Sequence, residues 1–323
     1  MTHPPTSPHD DAGLFDIERP PPVSLADKFG VPPMSVLDRR SGDWQDRKRK
    51  WLTLGIQSEI GRDSIVNRLN VGDNGLAQLL RAGGMGVPLA DGISVFDPVV
   101  CELAYRWHTA PGDAVLDPFA GGSVRGVVAS TLLRRYVGID LRTEQIEANE
   151  EQMHLCSDLR PRWLQGDSAR LDDHLSVDDE FDLIFSCPPY GDLERYSDNP
   201  RDLSTMAYDD FRDTHARIIA AATRRLRRDR FAAWVISDVR DRRGAYRGLV
   251  ADTIRAFEQA GLTFHNDAVL LDQIGTAAVR AERPFRATRK LTRVHQHMLP
   301  FVKGDAKRAA QRLEDAEPLG GVA

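Results

Sequence analysis

Residues 115–126 read Val-Leu-Asp-Pro-Phe-Ala-Gly-Gly-Ser-Val-Arg-Gly, and the chain continues through VVASTLLR to the run RYVGID that ends at Asp140. A short apolar run closes on an acid, small residues follow, a helical apolar pattern comes next, and a second apolar run again closes on an acid. This is the pattern of a strand, a tight turn, a helix and a parallel strand. Ala120, Gly121 and Gly122 carry almost no side chain, so the backbone there turns sharply and comes close to a ligand at a helix N-terminus.

The same alternation extends outward from that unit. Upstream, PVVCELAYRW predicts a helix after Phe96; downstream, strands are predicted at DLIFSCPP and FAAWVISDV, with a long helix from about Tyr208 to Leu226 between them. FHNDAVLL and HQHMLPFVKG complete an α/β sheet with helices on both faces. Residues 91–305 therefore form the main domain. Residues 21–90, broken by glycine and proline, are expected to be a small N-terminal appendage without a core of its own. Residues 1–20, rich in proline and acids, are expected to be a disordered tail, and 306–323 a tail of frayed helix and coil.

With 323 residues and 41% hydrophobic content the chain is long enough for a substantial core. No apolar run reaches membrane-spanning length, and the first residues lack the pattern of a secretory signal, so a cytoplasmic location is expected. The three cysteines, Cys101, Cys156 and Cys187, are scattered without disulfide or zinc spacing, and no metal is expected. A net charge of −5 argues against a nucleic-acid partner on average, but local patches decide binding. Two such patches exist. Arg39, Arg40, Arg47, Lys48, Arg49 and Lys50 lie along a stretch that also holds Trp44 and Trp51, and Arg280, Arg283, Arg286, Arg289, Lys290 and Arg293 stand against Glu282 alone.

The most informative stretch is FDLIFSCPPYGDLERYS, residues 181–197. A buried strand ends at Ser186, Cys187, Pro188, Pro189 and Tyr190, and a polar loop follows. Together with DPFAGGS this resembles the amino-methyltransferases of DNA. Their first motif is Asp-Pro-Phe followed by glycines, and their fourth is Asp, Asn or Ser before Pro-Pro and an aromatic residue. The resemblance implies a Rossmann-like class I methyltransferase sheet and S-adenosylmethionine as cofactor. Asp117, Pro118, Phe119, Ala120, Gly121, Gly122 and Ser123 would form the cofactor turn, with Ser123 where the family has glycine. Asp140 would accept from the ribose hydroxyls, Asp167 would lie beside the adenine amino group, and Phe96, Asp97 and Pro98 would lie near the methionine end.

The chemistry accounts for the residue types at the second corner. An exocyclic amine is a poor nucleophile because its lone pair is delocalised into the ring, so acceptors must orient it. The residue before Pro-Pro and the Pro188 carbonyl would take the amino hydrogens, and Tyr190 would stack on the extruded base. Cytosine N4 is favoured over adenine N6. The implied partner is duplex DNA, contacted by Arg47, Lys48, Arg49, Lys50, Arg195, Tyr196, Arg286, Arg289 and Lys290; solvated surface is the plain alternative for each of these. Cys187 departs from the family because a thiol accepts weakly. It leaves open help from Ser186, carbon-five chemistry through a thiolate, an RNA substrate, or an inactive DNA-binding relative. Oligomeric state, a dimer included, is left open. The fold reading requires the turn after Asp117 and the Cys187–Tyr190 corner to meet at neighbouring strand ends.

Overall fold

The computed structural model describes residues 24–56, 96–191, 196–275 and 277–316. The expectations for residues 1–20 and for 57–90 lie outside the described residues, as does Arg195. The centre is a nine-stranded sheet: β1 (Val36–Asp38), β2 (Ala114–Asp117), β3 (Arg135–Asp140), β4 (Arg162–Gln165), β5 (Phe181–Ser186), β6 (Leu226–Ile236), β7 (Thr263–Phe264), β8 (Ala268–Leu271) and β9 (His295–Lys303). The order across it is β1-β8-β9-β6-β5-β2-β3-β4, with β7 paired to β9. β9 runs antiparallel to its neighbours, and the pairs among β2 to β6 are parallel.

The chain proceeds one way from β2 to β3 and β4, then returns to the other side of β2 for β5 and β6. The order therefore reverses between β2 and β5, the place where an open α/β sheet leaves a crevice outside its strand ends. Leu116 pairs with Ile184, so Asp117 and Ser186 end adjacent strands.

The central strands are short, apolar and buried on both faces, as parallel strands covered by helices must be. On one face Val115, Leu183, Phe185 and Val235 pack against the helices Pro98–His108 and Val124–Thr131. On the other, Leu116, Ile184, Trp234 and Phe301 pack against the helices Tyr208–Arg225 and Leu249–Gln259.

Two boundary expectations need correction. The described N-terminal segment is part of the domain: β1 pairs with β8, and Trp44, 2% exposed on the helix Gly42–Leu52, sits in the main core. Its short strand and its partners far along the chain left no local signal. Residues 306–316 are likewise a docked helix, with Ala309 buried and Arg312 hydrogen-bonded to Asp113 at 2.8 Å. No described helix is long and apolar enough to cross a membrane.

Candidate active site

Asp117 organises the site from below. It is fully buried, and its Oδ1 accepts from the Ser186 hydroxyl at 2.5 Å and the Phe119 amide at 3.1 Å. Its Oδ2 accepts from Arg125 Nε at 2.5 Å and the Tyr136 hydroxyl at 2.7 Å. One carboxylate thus pins the turn after β2 to the end of β5. Tyr136 reaches it by crossing over Gly138, where a Cβ would stand 2.7 Å from the tyrosine oxygen. That is the physical reason for glycine inside β3.

Above this hub lies a cavity of about 250 Å³. Pro118, Phe119, Gly121 and Gly122 line it from the turn, Asp140 from the end of β3, Asp167 from just beyond β4, and Phe96 and Asp97 from the segment before the Pro98–His108 helix. Cys187, Pro188, Pro189 and Tyr190 form the facing wall, with Tyr196 nearby. The two corners expected to meet do meet.

The turn itself is held by side chains from the end of β3 and from the helix Thr143–Glu151 that follows it. Gly121 has φ +50°, a left-handed conformation that glycine adopts without steric cost. Its N–H donates to Asp140 Oδ2 at 3.0 Å and its carbonyl accepts from Asn149 Nδ2 at 2.7 Å. Gln145 donates to Asn149, and Arg142 to Gln145, extending the polar chain beneath the loop. Asp140 Oδ1 accepts from the Arg142 amide at 2.9 Å, which fixes the carboxylate at the cavity wall. Asp167 Oδ1 accepts from the Ala169 amide at 2.9 Å.

Several expected contacts fall elsewhere. Asp117, Ala120 and Ser123 are buried behind the wall; Ser123 donates to Gln152 at 3.1 Å, so its departure from glycine serves packing. Pro98 starts its helix beneath the surface, while Asp97 caps that helix through the Val99 amide. Ser186 is also fully buried with its hydroxyl committed to Asp117, so it does not reach an amine in the cavity. Cys187 does line the cavity, and its Sγ lies 3.4 Å from the Tyr190 hydroxyl. Burial, with Cys187 alongside, holds the Tyr190 phenol well above its ordinary value, so it stays neutral.

The N-terminal basic run is mostly consumed internally. Arg47 forms two 2.7 Å bonds to Glu102, and Trp51 Nε1 donates to the same carboxylate at 2.8 Å. Lys48 lies 3.8 Å from Asp97 and Arg49 pairs with Asp46, leaving Lys50 exposed. The later patch differs: Arg286, paired with Glu282, and Arg289, over the Phe285 ring, are exposed, and Lys290 is half-buried.

Among the cavity residues that had no reading as site residues, three carry polar groups with partners in or beside the wall. Arg125 lies in the wall with its guanidinium 4.7 Å from the Phe96 ring centroid; its signal was an arginine inside an otherwise apolar helix. Arg39, counted only as part of a basic patch, spans Asp97 at 3.1 Å and Asp272 at 2.8 Å. Gln296, from β9, accepts from Arg39 at 3.4 Å and gave no signal at all. Among the described residues no group of three or more His, Cys, Asp or Glu could hold a metal ion.

Residues 102–151 match a family described as DNA methylase, of the N6/N4 methyltransferase type. The match runs from within the helix before β2 through the glycine turn and β3 to the helix Thr143–Glu151, and so includes Asp140. The strand order, with its reversal between β2 and β5, is that of an open, Rossmann-like α/β sheet. The matched family implies S-adenosylmethionine as the cofactor. No curated protein matches the sequence.

Among solved structures, TrmN from Thermus thermophilus is similar at 18% identity and TM-score 0.43, over 64% of this chain and 49% of that one. This chain thus spans about half of that protein's length. A methyltransferase from Pyrococcus furiosus is similar at 14% identity and TM-score 0.44, over 66% of this chain and 85% of that one. A TehB-like SAM-dependent methyltransferase from Corynebacterium glutamicum ATCC 13032 is similar at 18% identity and TM-score 0.40, over 70% and 94%.

Proposed function

We infer that this chain transfers a methyl group from S-adenosylmethionine to an exocyclic amino group of a base in DNA, with cytosine N4 favoured over adenine N6. The observation that carries the reading is the single cavity shared by the Gly121–Gly122 turn and the Cys187–Tyr190 corner, both anchored on Asp117.

The donor set around that cavity fits the cofactor. Asp140 at the end of β3 suits ribose hydroxyls, and Asp167 suits an adenine amino group. The amino-acid end of the cofactor carries one positive and one negative group, and Asp97 and Arg39 stand together in the wall to meet them. When bound, the sulfonium supplies an electrophilic methyl group.

The chain's own contribution is orientation. Proline at 188 and 189 fixes the direction of the carbonyls, and the Pro188 carbonyl accepts an amino hydrogen and turns the nitrogen lone pair toward the methyl group. As the carbon–nitrogen bond forms and the carbon–sulfur bond breaks, the amine gives up one proton to solvent. Tyr190 supplies a neutral aromatic face for an extruded base.

The test is transfer of labelled methyl to duplex DNA, tRNA and rRNA, followed by mass spectrometry of the nucleosides. N4-methylcytosine in DNA is expected. Label confined to RNA, or to cytosine carbon five, overturns the reading. Replacing Tyr190 by Ala is expected to cost turnover about 1–3 kcal/mol of stacking with cofactor affinity retained. Asp140→Ala is expected to do the opposite, weakening cofactor binding about tenfold or more. Equal loss of cofactor affinity in both variants counts against the assigned roles.

A further inference from the structure

Two loops leave the carboxyl edge of the sheet beside the cavity. The first follows β6, whose Val235 lines the cavity; the second joins β8 to β9, whose Leu270 and Gln296 also line it. Leu271 pairs with His295 and Ile236 with His297, so both loops emerge on the side where β2 and β5 end.

The first loop is a basic fingertip closed by its own hydrogen bonds. Asp241 Oδ1 accepts from the amides of Arg243 and Ala245, both at 2.9 Å, and Arg240 bridges to Tyr246 in antiparallel fashion. This turn presents Arg242 and Arg243 to solvent, without an acidic partner among the described residues. Asp238, the nearest other acid, spends its Oδ1 on the amides of Val239, Gly248 and Leu249.

The two loops meet at one ring. Tyr246 is 45% exposed, with the Arg240 guanidinium 3.6 Å from its centroid and that of Arg293 at 5.0 Å. Two like charges held over one exposed aromatic repel each other unless an anion sits between them. Beyond them the helix Ala277–Thr288 shows Arg283 and Arg286 to solvent, with Phe285 42% exposed and, after it, Leu291 68% exposed. A chain of net charge −5 thus gathers a mainly cationic, partly aromatic rim, in which Glu282 pairs with Arg286, on the two loops that follow the cavity-lining ends of β6 and β8.

We propose that this rim, centred on the Arg240–Tyr246–Arg293 stack and the Arg242–Arg243 fingertip, is the surface that holds the phosphate backbone of duplex DNA flanking the extruded base. The proposal rests on reading the cavity as a methyl-transfer site. Backbone phosphates match the guanidiniums in charge and geometry, and exposed rings and apolar tips suit the gap left in the stack. The rim, and not the Arg47–Lys50 run, carries the positioning contacts, since Arg47 is already committed to Glu102.

The experiment measures anisotropy of a labelled duplex with the full chain over a salt series, for the parent, Tyr246→Ala, and the double variant Arg242→Glu/Arg243→Glu. A Lys307→Glu/Arg308→Glu variant on the C-terminal helix at the opposite edge controls for net charge. Duplex affinity is expected to fall on the order of tenfold in the rim double variant, and the slope of log K against log salt to shrink by about 0.9 for each phosphate that is no longer neutralised. The control variant and binding of S-adenosylhomocysteine are expected to stay unchanged. If the parent methylates duplex DNA while the rim variants keep its affinity and salt slope, the rim assignment falls. If the parent methylates no duplex DNA, the functional reading itself falls, and preferential rim-dependent binding of structured RNA replaces the proposed occupant.

Discussion

The Asp117 carboxylate is the residue on which both corners depend, and its four donors come from the turn and helix that follow it, from β3 and from β5. Removing its charge leaves Arg125 buried without compensation, an arrangement that typically costs about 3–5 kcal/mol. Asp117→Asn is therefore expected to lower stability by roughly that amount and to abolish cofactor binding, checked by urea denaturation and calorimetric titration. Ser186→Ala removes only one donor to a carboxylate that keeps three others. It is expected to cost about 1 kcal/mol and leave turnover within a few-fold; a loss of a hundredfold in kcat would restore a direct role for that hydroxyl. At the neighbouring position, Cys187→Ser replaces a weak acceptor by a stronger one. It is expected to preserve or raise amine methylation, whereas complete loss together with a covalent adduct on fluorinated cytosine in the parent would move the chemistry to the ring carbon.

Among the elements, the helix Gly42–Leu52 shows how a sequence pattern misleads. Its run of basic residues between tryptophans reads as a nucleic-acid patch, but Arg47 and Trp51 both bond Glu102, and Trp44 bonds Asp97 at 3.2 Å. The acids lie some fifty residues further along the chain, so nothing local to the basic run announces them. Burial works to raise the Glu102 carboxyl, yet the bonds from Arg47 and Trp51 and the charge of Arg106 outweigh it and hold it below its ordinary value. Neutralising it is expected to loosen this helix and, with it, Arg39 at the cavity wall. Glu102→Gln should therefore weaken cofactor binding several-fold and speed hydrogen exchange across residues 42–52; unchanged exchange there would refute the coupling. By contrast, β2, β3, β5 and the Tyr208–Arg225 helix were legible, because each is a long or buried apolar pattern bounded by turn residues. β1, β4 and β7 are short, and their pairing with distant strands left no periodic trace.

At the scale of the whole molecule, the two sides of the sheet each bury a histidine, and this sets how the fold responds to acid. His108, on the Pro98–His108 helix, bonds the Ala104 carbonyl at 2.9 Å, and burial first of all, with His265 nearby, lowers its pKa to about 4. His215, on the Tyr208–Arg225 helix, accepts from Trp234 Nε1 at 3.2 Å and stacks on Phe211; burial lowers it to about 4 despite the charge of Asp252. In the unfolded chain both titrate near 6.5. Above that value neither state binds the proton, and stability does not change through them. As pH falls from 6.5 to about 4 the unfolded chain takes up protons that the folded chain refuses, so stability declines. Below about 4 both states are protonated and this contribution ends. Across the window each histidine withdraws roughly 3 kcal/mol. His215→Gln keeps an acceptor for Trp234 without a titrating group, so the part of the acid slope that the two histidines supply to the urea midpoint should fall by about half. His215 also lies against Phe119, 6.3 Å between ring centroids, and Phe119 lines the cavity. Cofactor affinity should consequently weaken in the same acid window in the parent and hold better in His215→Gln; parallel pH profiles for the two proteins would show that the buried imidazole does not govern the site.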